Sequence, residues 1–371
     1  MPSRSPTGSP ASSARSSPCS HPKTGCGRVG GSVAFLLVDI REIDPRDDAL
    51  LHRFWEIGKA ADEVDRPWST YWPWPSAQAA LTGPNESRKA VLLAAFDGEA
   101  MFGIAEISLP LMDNTFAGYV ELFVAPDLVR NGIGSALLDA TRQVLAAHDR
   151  RLMMAEVSTP VDGSRSPGMW FAERHGLKAA LTNEHRVLDL PATEDRWPVL
   201  TAEAAPHHAD YRFVTWRDVV PADLLDGYCA LQHAFNEEAP AGDLEVEAEH
   251  WDEARVRGKE ERFRRAGRHE TCTVAVAPDG TVAGLTEVMV SAHSPEHGMQ
   301  GGTLVLRGHR GHRLGLALKL ANQRAVRDRF PECAALHTWN ADVNAAMNAI
   351  NNRLGFETVE LLVEMQGEVM T

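Results

Sequence analysis

The apolar positions of the chain fall into two series that run in the same order. In the first, Ala90–Phe96 reads as a buried strand, as does Val33–Val38 upstream, and Asp97-Gly98 is a turn signal between apolar runs. Gly103-Ile104-Ala105-Glu106 comes next, then the strand-like segment Tyr119–Val124 and a loop bearing Gly132 and Gly134. After the loop, Leu137, Leu138, Thr141, Val144 and Leu145 recur at i, i+1, i+4, i+7 and i+8. That spacing predicts a helix with one apolar stripe packed on a sheet. The second series has its turn at Asp279-Gly280, then Gly284-Leu285-Thr286-Glu287, a strand-like Thr303–Leu306, a loop ending at Gly315, and a helix carrying Leu314, Ala317, Leu318, Ala321 and Ala325. The spacing agrees, since 134 − 106 = 28 and 315 − 287 = 28. Each series closes on a glycine-hydrophobe pair, Gly176-Leu177 and Gly355-Phe356.

Further helices are expected over Asp47–Val64, Pro221–Glu237 and near Glu247–Arg265. The segment 191–209, with Pro191, Pro198 and Pro206, reads as a linker between domains 33–190 and 210–371. A chain of 371 residues exceeds what one core usually serves, so two domains are the default. Halves cut near Pro198 are expected to be separately compact. Residues 1–32 differ from the rest: rich in Ser, Pro, Gly, Arg and Lys, with no acid before Asp39, they read as a disordered tail or a misassigned start. An acid-poor, Arg- and Ser-rich segment also suits an organelle transit peptide, but the Ala-, Arg- and Gly-rich chain suits a bacterium.

Charge narrows the function. Asp and Glu number 51 against 37 Lys and Arg, a formal charge of −14. This argues against a nucleic-acid partner and suits a cationic substrate, although plain solubility explains it as well. Cys19, Cys26, Cys229, Cys272 and Cys333 form no CxxC pair and no zinc spacing, so no metal is expected and reduced thiols in a cytoplasm are. No apolar run approaches the roughly 20 residues of a membrane span, so no membrane partner is expected. The sequence carries no sign of an oligomeric state.

The loop from Val124 to Ser135 follows a strand and opens a helix. Unpaired amides at a helix start, with glycines that let a ligand approach, make an anion site suited to a pyrophosphate, and Arg130 adds a positive charge. A dinucleotide fingerprint needs a third glycine where Leu137 stands, and a Walker loop needs a Lys-Ser or Lys-Thr pair that is absent. The stretch Tyr119–Ala147, with Gly132-Ile133-Gly134, resembles the acetyl-CoA-binding motif of the GCN5-related N-acetyltransferase (GNAT) family, whose loop reads Q/R-x-x-G-x-G/A. Here Val129 stands at the Q/R position. His309-Arg-Gly-His-Arg-Leu-Gly315 resembles it too, with Arg310 at the Q/R position, Gly315 at the last glycine and Arg313 at the first. A side chain there costs about 1–2 kcal/mol if the backbone is left-handed. Asn344–Phe356 resembles the family's last motif.

The resemblance implies an α/β fold of two tandem GNAT-like domains, each a mostly antiparallel central sheet flanked by helices. It also implies acetyl-CoA as co-substrate but is nearly silent on the acceptor, for which a small-molecule amine is the expectation. The alternatives are a CoA-binding protein without turnover and an enzyme acting on a protein or peptide amine. By resemblance, the donor lies on Leu122, Phe123 and Val124 and on Arg130, Asn131, Gly132, Ile133, Gly134 and Ser135. In the second half it lies on Leu304, Val305, Leu306, Arg310, Gly311, His312, Arg313, Leu314, Gly315 and Asn344, and Asn344 reads equally as a helix cap.

Glu121 is the first candidate for general base, against the plainer reading of an exposed strand carboxylate. Glu106 and Glu287 hold equivalent positions; one lines an acceptor cleft, or both face solvent. Where the family places a tyrosine acid, the chain has Ala172 and Asn351. Trp68, Tyr71, Trp72 and Trp74 either line an acceptor pocket or form a satellite cluster. Glu237, Glu238, Asp243, Glu245 and Glu247 either hold a cationic substrate or form a solvated loop. The first half, with two loop glycines, Arg130 and Glu121, is the expected catalytic half.

Overall fold

The structure, a computed structural model, describes residues 38–369. The tail reading for 1–32, Cys19, Cys26 and, apart from Val38, the upstream apolar run lie outside them.

The first half runs β1 (Asp39–Glu42), α1 (Asp48–Asp62), α2 (Trp74–Thr82), β2 (Arg88–Asp97), β3 (Ala100–Pro110), β4 (Ala117–Val124), α3 (Ile133–Ala147), β5 (Leu152–Thr159), α4 (Pro167–Arg174) and β6 (Lys178–Asp189). Two short helices follow, α5 (Leu190–Thr193) and α6 (Trp197–Ala204). The second half runs β7 (Arg212–Arg217), α7 (Leu225–Glu238), α8 (Glu253–Arg265), β8 (Arg268–Val276), β9 (Val282–Ser291), β10 (Ser294–Val305), α9 (Leu314–Arg329), β11 (Ala335–Ala341), α10 (Ala345–Leu354) and β12 (Glu357–Glu368). The mixed α/β architecture and the repeated order match the sequence expectation. Helix α8 starts later than its sequence pattern suggests, because Asp252 caps it by accepting from Arg255 N.

The apolar stripes explain the layers. Leu137 and Leu145 of α3 are fully buried on one face of the sheet, while Leu51, Phe54 and Ile57 of α1 cover the other. Helix α9 repeats the arrangement through Leu316, Leu318 and Leu320. Asp97-Gly98 and Asp279-Gly280 turn the β2–β3 and β8–β9 hairpins, with both glycines in the left-handed region (φ 61° and 89°).

The halves are not separately closed, contrary to expectation. All twelve strands form one sheet in the order β1-β2-β3-β4-β5-β12-β6-β11-β10-β9-β8-β7. The last strand of the chain, β12, inserts between β5 and β6 of the first half, antiparallel to both. In return β6 pairs antiparallel with β11 of the second half. Each half thus lends a strand to the other's sheet, so a cut near Pro198 leaves each with an unpaired edge. The segment read as a linker is helical, and Trp197, Leu200 and Ala204 are buried in the second half's core. Its prolines occupy first-turn positions of short helices, where the missing N–H costs nothing.

The seam between the halves is polar. His185 Nδ1 donates to Glu360 Oε1 at 2.9 Å, His337 Nδ1 pairs with His185 Nε2 at 2.9 Å, and His297 Nδ1 pairs with His337 Nε2 at 2.9 Å. The ionised Glu360 fixes the direction of this chain, so each ring accepts on the nitrogen facing the next. Arg66 also binds Glu360 through two nitrogens, at 2.9 and 2.8 Å, which together with His185 holds this carboxyl down at about 2 against the cost of burial.

Candidate active site

Two strands part company in each half. β4 pairs with β5 in parallel only at Ala117–Tyr119, while its pairing with β3 continues to Val124. β10 likewise pairs with β11 only at His297–Met299 and with β9 to Val305. Beyond each divergence, one edge of the strand lacks a ladder partner, and its amides are available to a ligand.

Only the first divergence opens on the large cleft, about 2760 Å³, which takes in Glu121, Leu122, Phe123 and Val124 of β4 and Arg130, Gly132, Gly134 and Ser135 beyond it. Asn131 donates to Leu128 O at 3.1 Å and ties the loop to its preceding turn. Ile133 is buried, so only its backbone faces outward. Gly132 caps α3 in the left-handed region (φ 84°) with open space where a Cβ would stand. Arg130 also has positive φ (65°) and has no hydrogen bond or ion pair among the described residues. Ser135 Oγ lies 3.1 Å from His175 Nε2.

Glu121 stands directly across from Glu106 on β3, on the same face. Its carboxyl is reached by solvent through the cleft but surrounded by protein. That burial, with the charges of Glu106, Glu156 and Asp62, pushes it up to about 7, against a smaller opposing effect of Arg88. Burial also raises Glu106. Glu156 of β5 and Glu364 of β12, a cross-strand pair on the other arm of the divergence, are raised by burial as well. Tyr71 packs edge-on against Phe123 with centroids 6.0 Å apart. Burial first, then Glu121, Glu106 and Asp62, hold its phenol protonated. A Cβ at Gly58 of α1 would collide with the Tyr71 hydroxyl, so this glycine makes the tyrosine's berth. Nothing local in the sequence links positions 58 and 71, so this contact is visible only in the fold.

Of the aromatic group, Trp68, Tyr71 and Trp72 line the cleft, whereas Trp74 packs on His52 and Trp55. The second half supplies part of the wall: Phe235, Arg268, Trp339, Asn340 and Asn344, with Val359 to Glu364 of β12. Asn344 also caps α10, accepting from Met347 N at 3.2 Å.

The other second-half candidates are not brought to this cleft. A Cβ at Gly302 of β10 would meet the Phe235 ring of α7 at 3.3 Å. Arg310 donates to Val305 O at 3.1 Å and pairs with Glu238, which also faces Arg307 at 3.5 Å. Arg313 caps α9 in the left-handed region (φ 51°) and donates to Glu203 O at 3.0 Å. His312 Nδ1 binds His207 O at 3.0 Å. Gly311 has φ 85° and open space, Leu314 is buried, and a Cβ at Gly315 would meet Ile350 at 3.0 Å.

Glu287, the counterpart of Glu106, is buried and engaged. Tyr228 donates to it at 2.6 Å and Gln232 at 3.1 Å, and Lys259 Nζ lies 3.3 Å away. Lys259 also reaches Glu270 at 2.7 Å. The ammonium stays charged because these two carboxylates outweigh the burial that opposes it. The acidic stretch of the second half is likewise engaged: Glu245 pairs with Arg151, and Glu247 accepts from Asn114 N at 2.8 Å. It fastens the segment before α8 to the first half.

Of the positions at which the family places tyrosine, Ala172 is buried. Asn351 is buried too, accepting from Lys319 Nζ at 3.0 Å and donating to Asn340 at 2.6 Å. Among the described residues no helix is long and apolar enough to cross a membrane.

Comparison with known proteins bears on the fold that carries this cleft. Residues 50–166 match the acetyltransferase (GNAT) family model. No curated protein matches the chain. Among solved structures, a tandem GNAT protein from the clavulanic acid biosynthesis pathway is similar, 26% identical with a TM-score of 0.75, over 90% of this chain and 99% of that one. A GCN5-related N-acetyltransferase from Sphaerobacter thermophilus is 17% identical with a TM-score of 0.62, over 90% and 96%. A glucosamine N-acetyltransferase region of a fungal multi-domain β-N-acetylglucosaminidase shares the fold, 12% identical with a TM-score of 0.61, over 88% of this chain and 38% of that one. Residues 50–166 thus form a GNAT-family domain within the fold of a tandem GNAT protein, and family and fold together support an acyl-CoA-dependent N-acetyltransferase.

Proposed function

We propose that the first half transfers acetyl from acetyl-CoA to a small-molecule amine, with Glu121 as general base. The observation that carries this reading is that the β4 divergence opens on a cleft containing Glu121, while the β10 divergence faces Phe235 and its loop arginines are paired internally. Leu122, Phe123 and Val124 present backbone amides to the donor. The turn from Arg130 through Gly132 to Ser135 offers amides, a partial positive helix end and one unpaired guanidinium to its pyrophosphate.

A carboxyl near 7 is matched to accepting a proton from an ammonium at neutral pH. Glu121 takes that proton, the neutral nitrogen attacks the thioester carbonyl, and a β4 amide meets the oxyanion. Collapse of the tetrahedral species breaks the carbon–sulfur bond, and the remaining extra proton on the attacking nitrogen passes to the departing CoA thiolate, giving the amide and the thiol. With Ala172 at the family's tyrosine position, Tyr71 is the protonated phenol at hand in the cleft. In this reading the second-half candidates, Leu304 to Leu306 and Arg310 to Gly315, complete the fold, and Asn344 caps α10 at the cleft wall.

The test is thiol release from acetyl-CoA over a panel of small amines and peptides. Turnover on small amines is expected. Tight CoA binding without turnover on any amine overturns the catalytic reading, and turnover on peptides alone reassigns the acceptor to a protein.

A further inference from the structure

Resting on the reading of this cleft as the acceptor site, two charge features of opposite sign describe what enters it. The first is the carboxylate pair Glu106 and Glu121, neither of which has a hydrogen bond or ion pair among the described residues. The second half shows what this position takes. Its counterpart Glu287, with Glu270 and the Tyr228 hydroxyl, surrounds the Lys259 ammonium at 3.3, 2.7 and 3.1 Å. The cleft of the first half has Tyr71 and the acids, but no lysine lines it. A ligand ammonium would fill the place that Lys259 fills in the repeat.

The second feature is a pair of guanidiniums. Residues 88, 90 and 92 share one face of β2, and Leu92 stands across from Glu106, so Arg88 lies on the same face as the carboxylates. It is four residues along the strand, about 13 Å at the usual rise, in the direction away from the CoA loop. Arg268, the first residue of β8, enters the same cleft from the second half and stacks over Trp72 at 3.7 Å. Neither guanidinium has a hydrogen bond or ion pair among the described residues, and Arg268 Nε is buried without a partner. The other cleft arginine near the carboxylates, Arg66, is already neutralised by Asp62 and Glu360. Two unpaired guanidiniums that line one cleft, with Arg88 close enough for its charge to act on Arg268, suit an oxyanion, which can bind a planar fork through two oxygens.

We propose that the acceptor is a small zwitterion, a primary amine carrying a carboxylate or phosphate, with its ammonium on Glu106 and Glu121 and its anion on Arg88 and Arg268. This orients the nitrogen toward the donor loop and the anion away from it. It also gives the second half a direct part in choosing the substrate, through Arg268.

The experiment is calorimetry of matched ligands on the full chain loaded with CoA: 4-aminobutyrate against butylamine, lysine against cadaverine, and 2-aminoethyl phosphate against ethanolamine. The anionic member of at least one pair is expected to bind tenfold or more tightly, and which pair responds separates carboxylate from phosphate. Arg268→Gln is expected to bring that pair within about twofold, and Arg268→Lys to restore part of the preference; Arg88→Gln, at an exposed position, provides a second variant. Equal or tighter binding of the plain amines, no binding of any anionic member, or a preference that survives both glutamine variants overturns the proposal. Selective binding without thiol release would instead sink the acetyl-transfer reading and leave the cleft as a binding site for such a zwitterion.

Discussion

The two repeats treat the same landmark carboxylate in opposite ways. In the second half, Glu287 is buried among Tyr228, Gln232 and Lys259, and every strong polar group near it is answered from within the chain. In the first half, Glu106 and Glu121 share a cleft wall with no cation bonded to them, and burial raises both carboxyls against a smaller opposing effect of Arg88. The loops differ in the same sense. Both place two left-handed positions, one residue apart, before the helix, but the first half fills them with Arg130 and Gly132 and the second with Gly311 and Arg313. The backbone of the duplication is retained. What separates an open site from a closed one is which side chains answer the polar groups that backbone presents.

The largest effect that would break this comparison is on turnover. Glu121→Gln removes the proton acceptor and is expected to lower kcat by about 10²–10⁴-fold. In the parent, activity should rise with pH toward a plateau above about 7, since the base works only when deprotonated, and the variant should lose that limb. Glu287→Gln, in the closed half, should leave the pH profile in place. Steady-state kinetics between pH 5 and 9 decide it; equal losses from both substitutions would end the assignment to the first half.

Stability should respond the other way round. Lys259→Met leaves Glu270 and Glu287 facing each other in a buried site, which costs about 3–5 kcal/mol. Burial and Glu287 already raise Glu270, so the loss should shrink at acid pH as that carboxyl takes up a proton. Urea unfolding at pH 8 and 6 would show both. A stability change under 1 kcal/mol would mean that the pocket relaxes or admits water.

The seam and the cleft should also oppose each other in pH dependence. His337 is held down to about 3, by burial first and then by His185 and His297, so it is neutral in the fold and protonated in the unfolded chain below about 6.5. The unfolded state then binds more protons, and stability falls as pH drops from 6.5 toward 3, by at most about 1.4 kcal/mol per pH unit for one group. Glu360, lowered to about 2, adds a loss as pH falls below 4.5. Glu121 acts with the opposite sign, because a folded value near 7 above an unfolded 4.5 makes the fold gain stability as pH falls through that window. Glu121→Gln should therefore steepen the acid loss between pH 7 and 4.5. An unchanged slope would mean that the carboxyl is not raised.

Much of this was legible because it is local. The Asp-Gly hairpins, the helical stripes, the 28-residue spacing and the glycine loop are short-range patterns, and each appears where the chain placed it. The strand exchange is different, since an apolar alternation says that a strand exists but not which strand 175 residues away lies beside it. Prolines 191, 198 and 206 signal a break in one helix and equally the start of the next, and here they start helices. The site was half legible for the same reason. Glu121 and its loop share one segment, but Lys259 beside Glu287, Gly58 beneath Tyr71, and Arg268 over Trp72 are contacts between distant parts of the chain that no spacing announces.

The smallest predicted effect concerns the exchanged glycine and arginine at the helix caps. A non-glycine residue in the left-handed region costs about 1–2 kcal/mol, so Arg313 carries strain that Gly132 avoids. In Arg313→Gly that relief is offset by the greater backbone freedom glycine loses on folding, about 0.5–1 kcal/mol, and by loss of the bond to Glu203 O. The net change should be within about 0.5–1 kcal/mol of zero. The reverse change, Gly132→Arg, has no such offset: no atom lies within 4 Å of the new Cβ to pack on it, and the strain enters in full. It should lower stability by about 1–2 kcal/mol. It should also weaken acetyl-CoA binding, because the added side chain stands where the donor approaches the helix start, even though its charge favours phosphate. Calorimetry and thermal melts of the two variants test the asymmetry. If Gly132→Arg binds acetyl-CoA as tightly as the parent, the open loop owes nothing to its glycine, and the contrast between the halves rests on the acceptor side alone.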